Sequence, residues 1–172
     1  MFPAFLTGFQ ATNNLSILKR KPSDLRRYMK WTHETKAEYG SITNYLLQHR
    51  LPWGSPPFKY NSSIPFEDPS DYKVLVNDWP YGLTEDITHI VVWSKTPIPT
   101  DETTGDVTRE IRKIIEDFVR KTFVKRLGED QVRVMWFKNW VQLQSVRALE
   151  HLHVLVKKAS KEDLEFWTGK RE

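Results

Sequence analysis

The chain has 172 residues, a formal net charge of +4 and no cysteine. This length suits one domain, residues 1–172, that buries enough apolar surface to fold without a disulfide or metal staple. The missing cysteines exclude a disulfide framework and thiolate metal sites. The first residues lack the features of a signal peptide, and no apolar run reaches the roughly 18–20 residues of a membrane span. We therefore predict a cytoplasmic protein without membrane contact.

Residues 15–51 predict two helices and a basic surface, after a flexible start at residues 1–14. A helix is expected from about Asp24 to Tyr39, before Gly40, and a shorter one in SITNYLLQHRL. Residues 19–50 hold eight Lys/Arg against three Asp/Glu. Cations interleaved with aromatic rings are typical of surfaces that bind phosphates and unstacked bases, although a solvated helix face has the same composition. The candidate residues of this surface are Lys19, Arg20, Lys21, Arg26, Arg27, Tyr28, Lys30 and Trp31.

The rest of the chain predicts a sheet. Residues 52–71 are rich in proline and predict a long irregular connection. In residues 72–172, an amphipathic helix capped by Asp106 and closed by Gly128 lies between the second and third of four strand-like segments. These segments are YKVLV, THIVVWS, QVRVMWF and HLHVLV. The fold class is therefore α+β: N-terminal helices, then a small, mainly antiparallel sheet crossed by one amphipathic helix.

Two of the five histidines lie two positions apart in the last strand-like segment. Because side chains alternate across a strand, His151 and His153 share one face, about 6.5 Å apart, and His89 belongs to one face of the earlier strand. Their ordinary pKa of about 6.5 would allow proton transfer near neutral pH. They are equally consistent with hydrogen-bonded core residues, or with metal ligands for which the spacing fixes no third partner. We predict no metal and no cofactor.

Polar and aromatic residues near these histidines are further candidates. Asp78, Trp79 and Tyr81 in NDWPYG either form an ordinary turn or surround a cation through ion pairing and cation–π contact. Ser145 is a candidate nucleophile only if a histidine lies within hydrogen-bond reach. Glu150 is either a surface acid or a carboxylate for a cationic substrate. The remaining candidates for substrate contact are Trp93, Lys138, Asn139, Trp140 and Arg147.

The order of elements resembles that of the histidine-triad nucleotide hydrolases. THIVVWSKTPIP, an amphipathic helix, a strand, an Asn, QSV and HLH follow one another as in that family. The resemblance implies a related topology, with His153 as a nucleophile on phosphorus. The sequence departs from the family pattern in two places. Three extra residues separate Gln144-Ser145-Val146 from His151, and Leu155 stands where the triad has its third histidine.

Over a longer stretch, from about Leu15 to Val156, the chain resembles the fungal N-acetylglucosamine-induced protein 1 family. Some fungal proteins that look like this family are arginine-containing cyclodipeptide synthases. These enzymes join arginine and a second amino acid into a diketopiperazine, taking both residues from aminoacyl-tRNA. The stretches that carry the resemblance are LSILKRKPSDLRRYMKW, YGSITNYLLQHRLPW, NDWPYG with HIVVW, and WFKNW with QSVRALEHLHVLV.

The resemblance implies that the partners are arginyl-tRNA and a second charged tRNA. Their esters are already activated, so no ATP site is required, and the sequence contains no usual phosphate loop. The basic helix would hold tRNA, and His151 or His153 would free the attacking amine. Asp78 and Glu150 would bind the guanidinium group of arginine, and Trp79, Tyr81, Trp93 or Trp140 would stack on it.

Two other classes of function stay open at this point. One is a nucleotidyl hydrolase or transferase of histidine-triad type. The other is a non-catalytic binding protein of the amino-sugar response, as the name of the similar family suggests. Neither the second amino acid nor the oligomeric state is predicted.

Overall fold

The structure, a computed structural model, describes residues 19–139, Val146 and residues 148–169. It has helices on both faces of a four-stranded antiparallel sheet, which confirms the α+β class and the amphipathic helix that crosses the sheet. The helices are α1 (Pro22–Tyr39), α2 (Ile42–His49), α3 (Arg109–Val119) and α4 (Lys161–Thr168). The strands are β1 (Tyr72–Val76), β2 (Ile87–Ser94), β3 (Val134–Phe137) and β4 (Glu150–Lys157).

The first two helices begin and end where local chemistry places their ends. Helix α1 begins at Pro22, whose fixed φ suits a first helical turn, and ends at Gly40 with a φ of 81°. Helix α2 follows Ser41, whose side chain accepts the backbone N–H of Asn44. Both helices therefore confirm the elements expected in residues 15–51.

Two details differ from the sequence-based expectation in the second half of the chain. Thr108, not Asp106, caps α3, because the Asp106 carboxylate binds the Arg112 side chain at 2.8 Å instead. The predicted strand QVRVMWF is shorter than expected, since residues 131–133 form a 3-10 turn before β3. The end of the α3 segment is as predicted: a π-helical turn and a 3-10 turn continue it to Gly128, which has a left-handed conformation.

Strand order determines which side chains face each other. The order is β1-β2-β4-β3, with every neighbouring pair antiparallel. In the β2–β4 register, Trp93 lies opposite His151, Val91 opposite His153, and Leu155 opposite His89. All three histidines therefore lie on one face of the sheet.

The two faces of the sheet pack against different helices. One face packs on α3, with Ile90, Val92, Leu152 and Val154 in the same cluster as Ile115. The opposite face packs on α2 and on Leu51 shortly after it, through a cluster that includes Ile42, Leu46, Leu75, Val91 and Trp93. The histidines share the second face, so they look toward the N-terminal helices.

The proline-rich connection, residues 52–71, passes from one face of the sheet to the other. Trp53 and Phe58 pack with the cluster under α2, whereas Phe66 stacks on Phe118 of α3 with ring centroids 4.6 Å apart. Asp71, which is 1% exposed, holds this connection in place through hydrogen bonds. Its carboxylate accepts the backbone N–H groups of Asn61 and Ser62 at 2.8–2.9 Å, and Lys95 lies 3.7 Å away.

Replacing Asp71 by alanine is expected to lower the free energy of unfolding by about 3 kcal/mol, because it removes a buried carboxylate that accepts two partly buried backbone N–H groups and pairs with Lys95. Urea denaturation measures this loss. Asp101→Ala is the matched control, since Asp101 also accepts two backbone N–H groups, at 2.8 and 2.9 Å, but is exposed. A loss for Asp71→Ala no larger than for the control would contradict the proposed role of Asp71.

Candidate functional site

A cavity of about 160 Å³ lies between the N-terminal helices and the histidine face of the sheet. A cavity of roughly 150 Å³ holds one benzene ring, so this one accommodates a group the size of a single side chain. Its walls come from α1, α2, the loop after β1, and strands β2 and β4. The predicted site residues that line it are Arg20, Tyr28, Trp31, Asp78, Trp79, Tyr81, Trp93, Asn139, His151 and His153.

His89 and His153 form a hydrogen-bonded pair behind this cavity. His89 Nε2 lies 2.8 Å from His153 Nδ1. The backbone N–H of Tyr81 and the side-chain amide of Asn77 both approach His89 Nδ1, at 3.4 and 3.3 Å. His89 Nδ1 is therefore an acceptor, and the His89 proton lies on Nε2 and is donated to His153 Nδ1.

The same chain of hydrogen bonds determines which nitrogen of His153 carries the proton. Since His153 Nδ1 accepts from His89, its own proton lies on Nε2, 3.3 Å from the side-chain amide of Asn139. The Asn139 atom at this distance is Nδ2, which also donates to the Tyr81 hydroxyl at 3.3 Å. His153 Nδ1 is thus bound to His89, and its Nε2 faces the Asn139 amide.

His151 is held differently, with one nitrogen that has no hydrogen-bond partner among the described residues. Its Nδ1–H donates to the carbonyl oxygen of Leu149 at 2.8 Å, and its ring lies against Trp93 with centroids 4.7 Å apart. The neutral ring then has a lone pair on Nε2. No described residue hydrogen-bonds to Nε2, and His151 lines the cavity. His151 therefore presents a hydrogen-bond acceptor, Nε2, to a ligand in the cavity.

Burial keeps all three imidazoles neutral. Desolvation lowers the pKa of His151 to about 4, an effect that the Leu149 carbonyl opposes and the Lys138 charge strengthens. Desolvation, with the Arg20 charge, lowers the pKa of His89 to about 3. The pKa of His153 is also lowered, first by burial and then by its charged and imidazole neighbours. The expectation that these histidines titrate near neutral pH was therefore wrong: burial removes the charged form.

Aromatic rings and one guanidinium group form the wall opposite the histidines. The Trp79 ring lies 5.6 Å from Tyr28 and 5.3 Å from Trp31, measured between centroids. The Arg20 guanidinium lies 3.9 Å from the centroid of Tyr28 and 5.2 Å from that of Tyr81, and its Nε donates to the Trp79 carbonyl at 3.3 Å. Tyr28 and Trp31 therefore pack into the cavity wall, where we had expected them on a surface that binds bases.

The two candidate carboxylates occupy different surroundings. Asp78 lines the cavity, with its side chain 52% exposed, and forms an ion pair with Arg50. Glu150 lies outside the cavity lining and is 3.5 Å from the ammonium of Lys138, which is 5% exposed. Of the two, only Asp78 is in a position to contact a ligand in the cavity.

The remaining predicted site residues lie behind the cavity, on the surface or outside the described part. His89 supports His153 from behind, as described above. Trp140, Ser145 and Arg147 lie outside the described residues. The exposed basic residues are Lys19, Lys21, Arg26, Arg27 and Lys30, of which Arg27 binds Asp24 and Lys30 binds Glu34.

Sequence reasoning missed Asn77 and Arg50, which hold His89 and Asp78. Asn77 stands at the start of NDWPYG, directly after a strand, and a polar residue at such a strand end is a signal that could have found it. Arg50 was counted only as charge, and no local pattern ties it to Asp78, 28 positions along the chain.

The described residues contain neither a candidate metal site nor a candidate membrane span. Within residues 19–139 and 148–169, no three His, Asp or Glu side chains form a group that can hold a metal ion. The helices of the same part of the chain include none with the length and apolar character needed to cross a membrane.

The molecule is thus an α+β protein in which two N-terminal helices enclose a histidine-lined cavity on one face of an antiparallel sheet. The chain belongs to the protein family of unknown function DUF3605, which matches residues 6–157. This confirms the family resemblance identified from the sequence.

Individual relatives agree with this assignment. N-acetylglucosamine-induced protein 1 of Candida albicans is 34% identical over 164 residues, which cover 85% of this chain and 64% of the relative. The uncharacterized protein YPL067C of Saccharomyces cerevisiae is 28% identical over 147 residues, covering 84% and 73%. The crystal structure of HTC1 superposes with a TM-score of 0.72 at 25% identity, covering 95% of this chain and 91% of HTC1.

Proposed function

We propose that this protein is a cytoplasmic cyclodipeptide synthase that forms cyclo(Arg-Xaa) from arginyl-tRNA and a second aminoacyl-tRNA. The single observation that carries the proposal is the cavity: it has the size of one side chain, it contains His151 Nε2, which has no hydrogen-bond partner among the described residues, and it adjoins the basic segment 19–36. The sequence resemblance to arginine-containing cyclodipeptide synthases names the reaction that such a cavity would serve.

The reaction consists of two aminolyses of esters. The α-amine of one aminoacyl group attacks the ester carbonyl of the other, a C–N bond forms, and the C–O bond to the tRNA ribose breaks. The α-amine of the transferred residue, now the free N-terminus of the dipeptidyl ester, then attacks the remaining ester, which closes the ring and releases the second tRNA. Each step moves one proton from nitrogen to a ribose oxygen, and no oxidant, reductant or nucleotide is consumed.

His151 has the arrangement that such a proton transfer requires. Its Nε2 lone pair can accept the proton of the attacking amine, whose pKa in a free α-ammonium is about 7.7–8.0. Burial keeps the ring neutral at neutral pH, so the lone pair is always present, although the lowered pKa makes it a weaker base. The hydrogen bond from His151 Nδ1–H to the Leu149 carbonyl oxygen fixes the orientation of the His151 ring.

The arginine side chain has a matching partner in Asp78. A carboxylate has about four acceptor sites and can bind a second guanidinium group beside Arg50. The neighbouring Trp79 ring supplies a cation–π surface. Arg20 already makes such cation–π contacts with Tyr28 and Tyr81, so the aromatic rings of this cavity do pack against a guanidinium group.

One feature favours the synthase over a histidine-triad nucleotidyl enzyme. The His153 ring is buried, its Nδ1 is hydrogen-bonded to His89 and its Nε2 faces the amide of Asn139, so it is poorly arranged as a nucleophile on phosphorus. A non-catalytic binding protein would use the same cavity but would release no product.

The test is to incubate the purified protein with arginyl-tRNA and, in turn, each other aminoacyl-tRNA, and to follow small molecules by mass spectrometry. We expect an arginine-containing cyclic dipeptide with at least one partner. Uncharged tRNA with free amino acids is the control and should give none. Absence of any cyclic dipeptide across all partners would exclude the proposed activity.

A further inference from the structure

Arg20 brings an unneutralised positive charge into the cavity. Its side chain lines the cavity and is half-buried, and among the described residues no Asp or Glu forms an ion pair with it. Asp78, the one carboxylate among the described residues that line the cavity, is paired with Arg50 instead. The surrounding groups are neutral histidines, aromatic rings and the amides of Asn77 and Asn139. The described residues that line the cavity, with Arg20 and Arg50 against Asp78, therefore carry a net positive charge.

The position of Arg20 is set by its neighbours in three dimensions. The backbone N–H of Gly82 donates to the Lys19 carbonyl at 3.0 Å, which holds the start of the described chain against the loop after β1. A Cβ at position 82 would lie 3.0 Å from Lys21 Cγ, so this close approach favours glycine. The Tyr28 ring and the Trp79 carbonyl then hold the guanidinium group itself.

Most donors of this guanidinium group are left for a ligand. A guanidinium has five N–H donors in a planar fork, and only Nε–H of Arg20 has a hydrogen-bond partner among the described residues. Such a fork matches the paired oxygens of a carboxylate or a phosphate. A partly buried charge without a partner is costly, and an anion that enters the cavity removes that cost.

We propose that Arg20 forms an oxyanion-binding subsite of the cavity, which accepts the phosphate or carboxylate group of the ligand. This goes beyond the proposed function because it predicts the charge of the ligand whichever reaction the cavity serves. In the proposed synthase, the oxyanion is the phosphodiester beside the 3′-terminal adenosine, and the guanidinium of the substrate lies toward Asp78. A free amino acid would instead present its carboxylate to Arg20.

Isothermal titration calorimetry in a phosphate-free buffer of low ionic strength tests the subsite with two matched pairs of probes. AMP against adenosine measures the contribution of a phosphate, and L-arginine against L-argininamide that of a carboxylate. We expect the member that carries the phosphate or carboxylate to bind about 10-fold or more tightly than its counterpart in at least one pair, as charge-assisted hydrogen bonds allow. Arg20→Gln should abolish the difference, and Arg20→Lys, which keeps the charge but not the fork, should retain part of it.

Arg109→Gln is the control, because Arg109 is exposed at the start of α3, a helix that packs on the opposite face of the sheet. It should leave both comparisons unchanged, and circular dichroism establishes that each variant is folded. Equal binding within both pairs, no binding of any probe, or a preference that survives Arg20→Gln would each overturn the subsite.

The two pairs also separate this proposal from the proposed function. A preference for AMP alone agrees with a tRNA substrate. A preference for arginine over argininamide alone would keep the subsite but contradict an esterified substrate, which has no free carboxylate. If no cyclic dipeptide forms, the proposed synthase activity fails, but the calorimetric evidence for an oxyanion subsite is unaffected.

Discussion

His151→Asn is expected to lower the rate of cyclic-dipeptide formation by about 100-fold or more, because a positioned general base contributes roughly 10²–10⁴-fold. The substitution is selective. The asparagine amide can still donate to the Leu149 carbonyl, as Nδ1 of His151 does, but nothing replaces the acceptor at Nε2. Product formation under single-turnover conditions, followed by mass spectrometry, gives the rate.

The matched control is His33→Asn, since His33 is exposed on α1 and does not line the cavity. This variant should react at the rate of the parent protein. A folded His151→Asn protein that makes the cyclic dipeptide at the parent rate would remove His151 as the base. The amine would then have to lose its proton to water or to the second substrate.

The placement of the histidines on one face could be predicted from sequence, but their hydrogen-bond partners could not. Alternation along a strand is a local property, so His151 and His153 were correctly put on the same face. The 2.8 Å contact between His89 and His153 depends on β2 and β4 being neighbours in a particular register. Strand order is a property of the whole chain, and no local pattern encodes it.

Helix ends show the same division between local and tertiary causes. Gly40 and Gly128 ended their helical segments as predicted, because a left-handed or positive-φ residue is favoured there in any context. The α3 cap was predicted at Asp106 and found at Thr108, since both types cap helices and the ion pair with Arg112 decides between them. Helix α4 was missed, although Ser160 and Asp163 form a readable capping box before it.

The distribution of charged residues between the cavity and the surface was the property that the sequence predicted least well. The basic segment was identified as a possible nucleic-acid surface from its composition. The structure divides it: Arg20, Tyr28 and Trp31 turn into the cavity, whereas Lys21, Arg26 and Lys30 are exposed. Composition counts charges without their direction, so it could not separate the residues of a cavity from those of a surface.

The buried histidines should make the protein sensitive to mild acid. Above a pH of about 6.5 they are neutral in both the folded and the unfolded chain and do not affect the pH dependence of stability. Below that pH these histidines bind protons in the unfolded chain but stay unprotonated in the folded chain. This difference persists until the pH falls to about 4 for His151 and about 3 for His89. The free energy of unfolding therefore decreases as the pH falls.

Between pH 7 and pH 5 we expect a loss of about 2 kcal/mol for each of His89 and His151, with His153 acting in the same direction. The total is a large part of the roughly 5–15 kcal/mol that stabilises a typical domain. Carboxyl groups with lowered pKa values, such as Asp86 and Asp163, lose their stabilising contribution only at lower pH. The change in the free energy of unfolding between pH 7 and pH 5 therefore reports on the histidines.

Urea denaturation at pH 7, 6 and 5 measures the loss. In His151→Asn one titrating group is gone, so the decrease between pH 7 and pH 5 should be smaller by about 2 kcal/mol, whatever the stability of the variant at pH 7. His33→Asn should keep the full decrease, because His33 is exposed. An equal decrease in the parent protein and in His151→Asn would mean that His151 takes up its proton in the folded state, and the Nε2 lone pair would then not be reserved for a ligand.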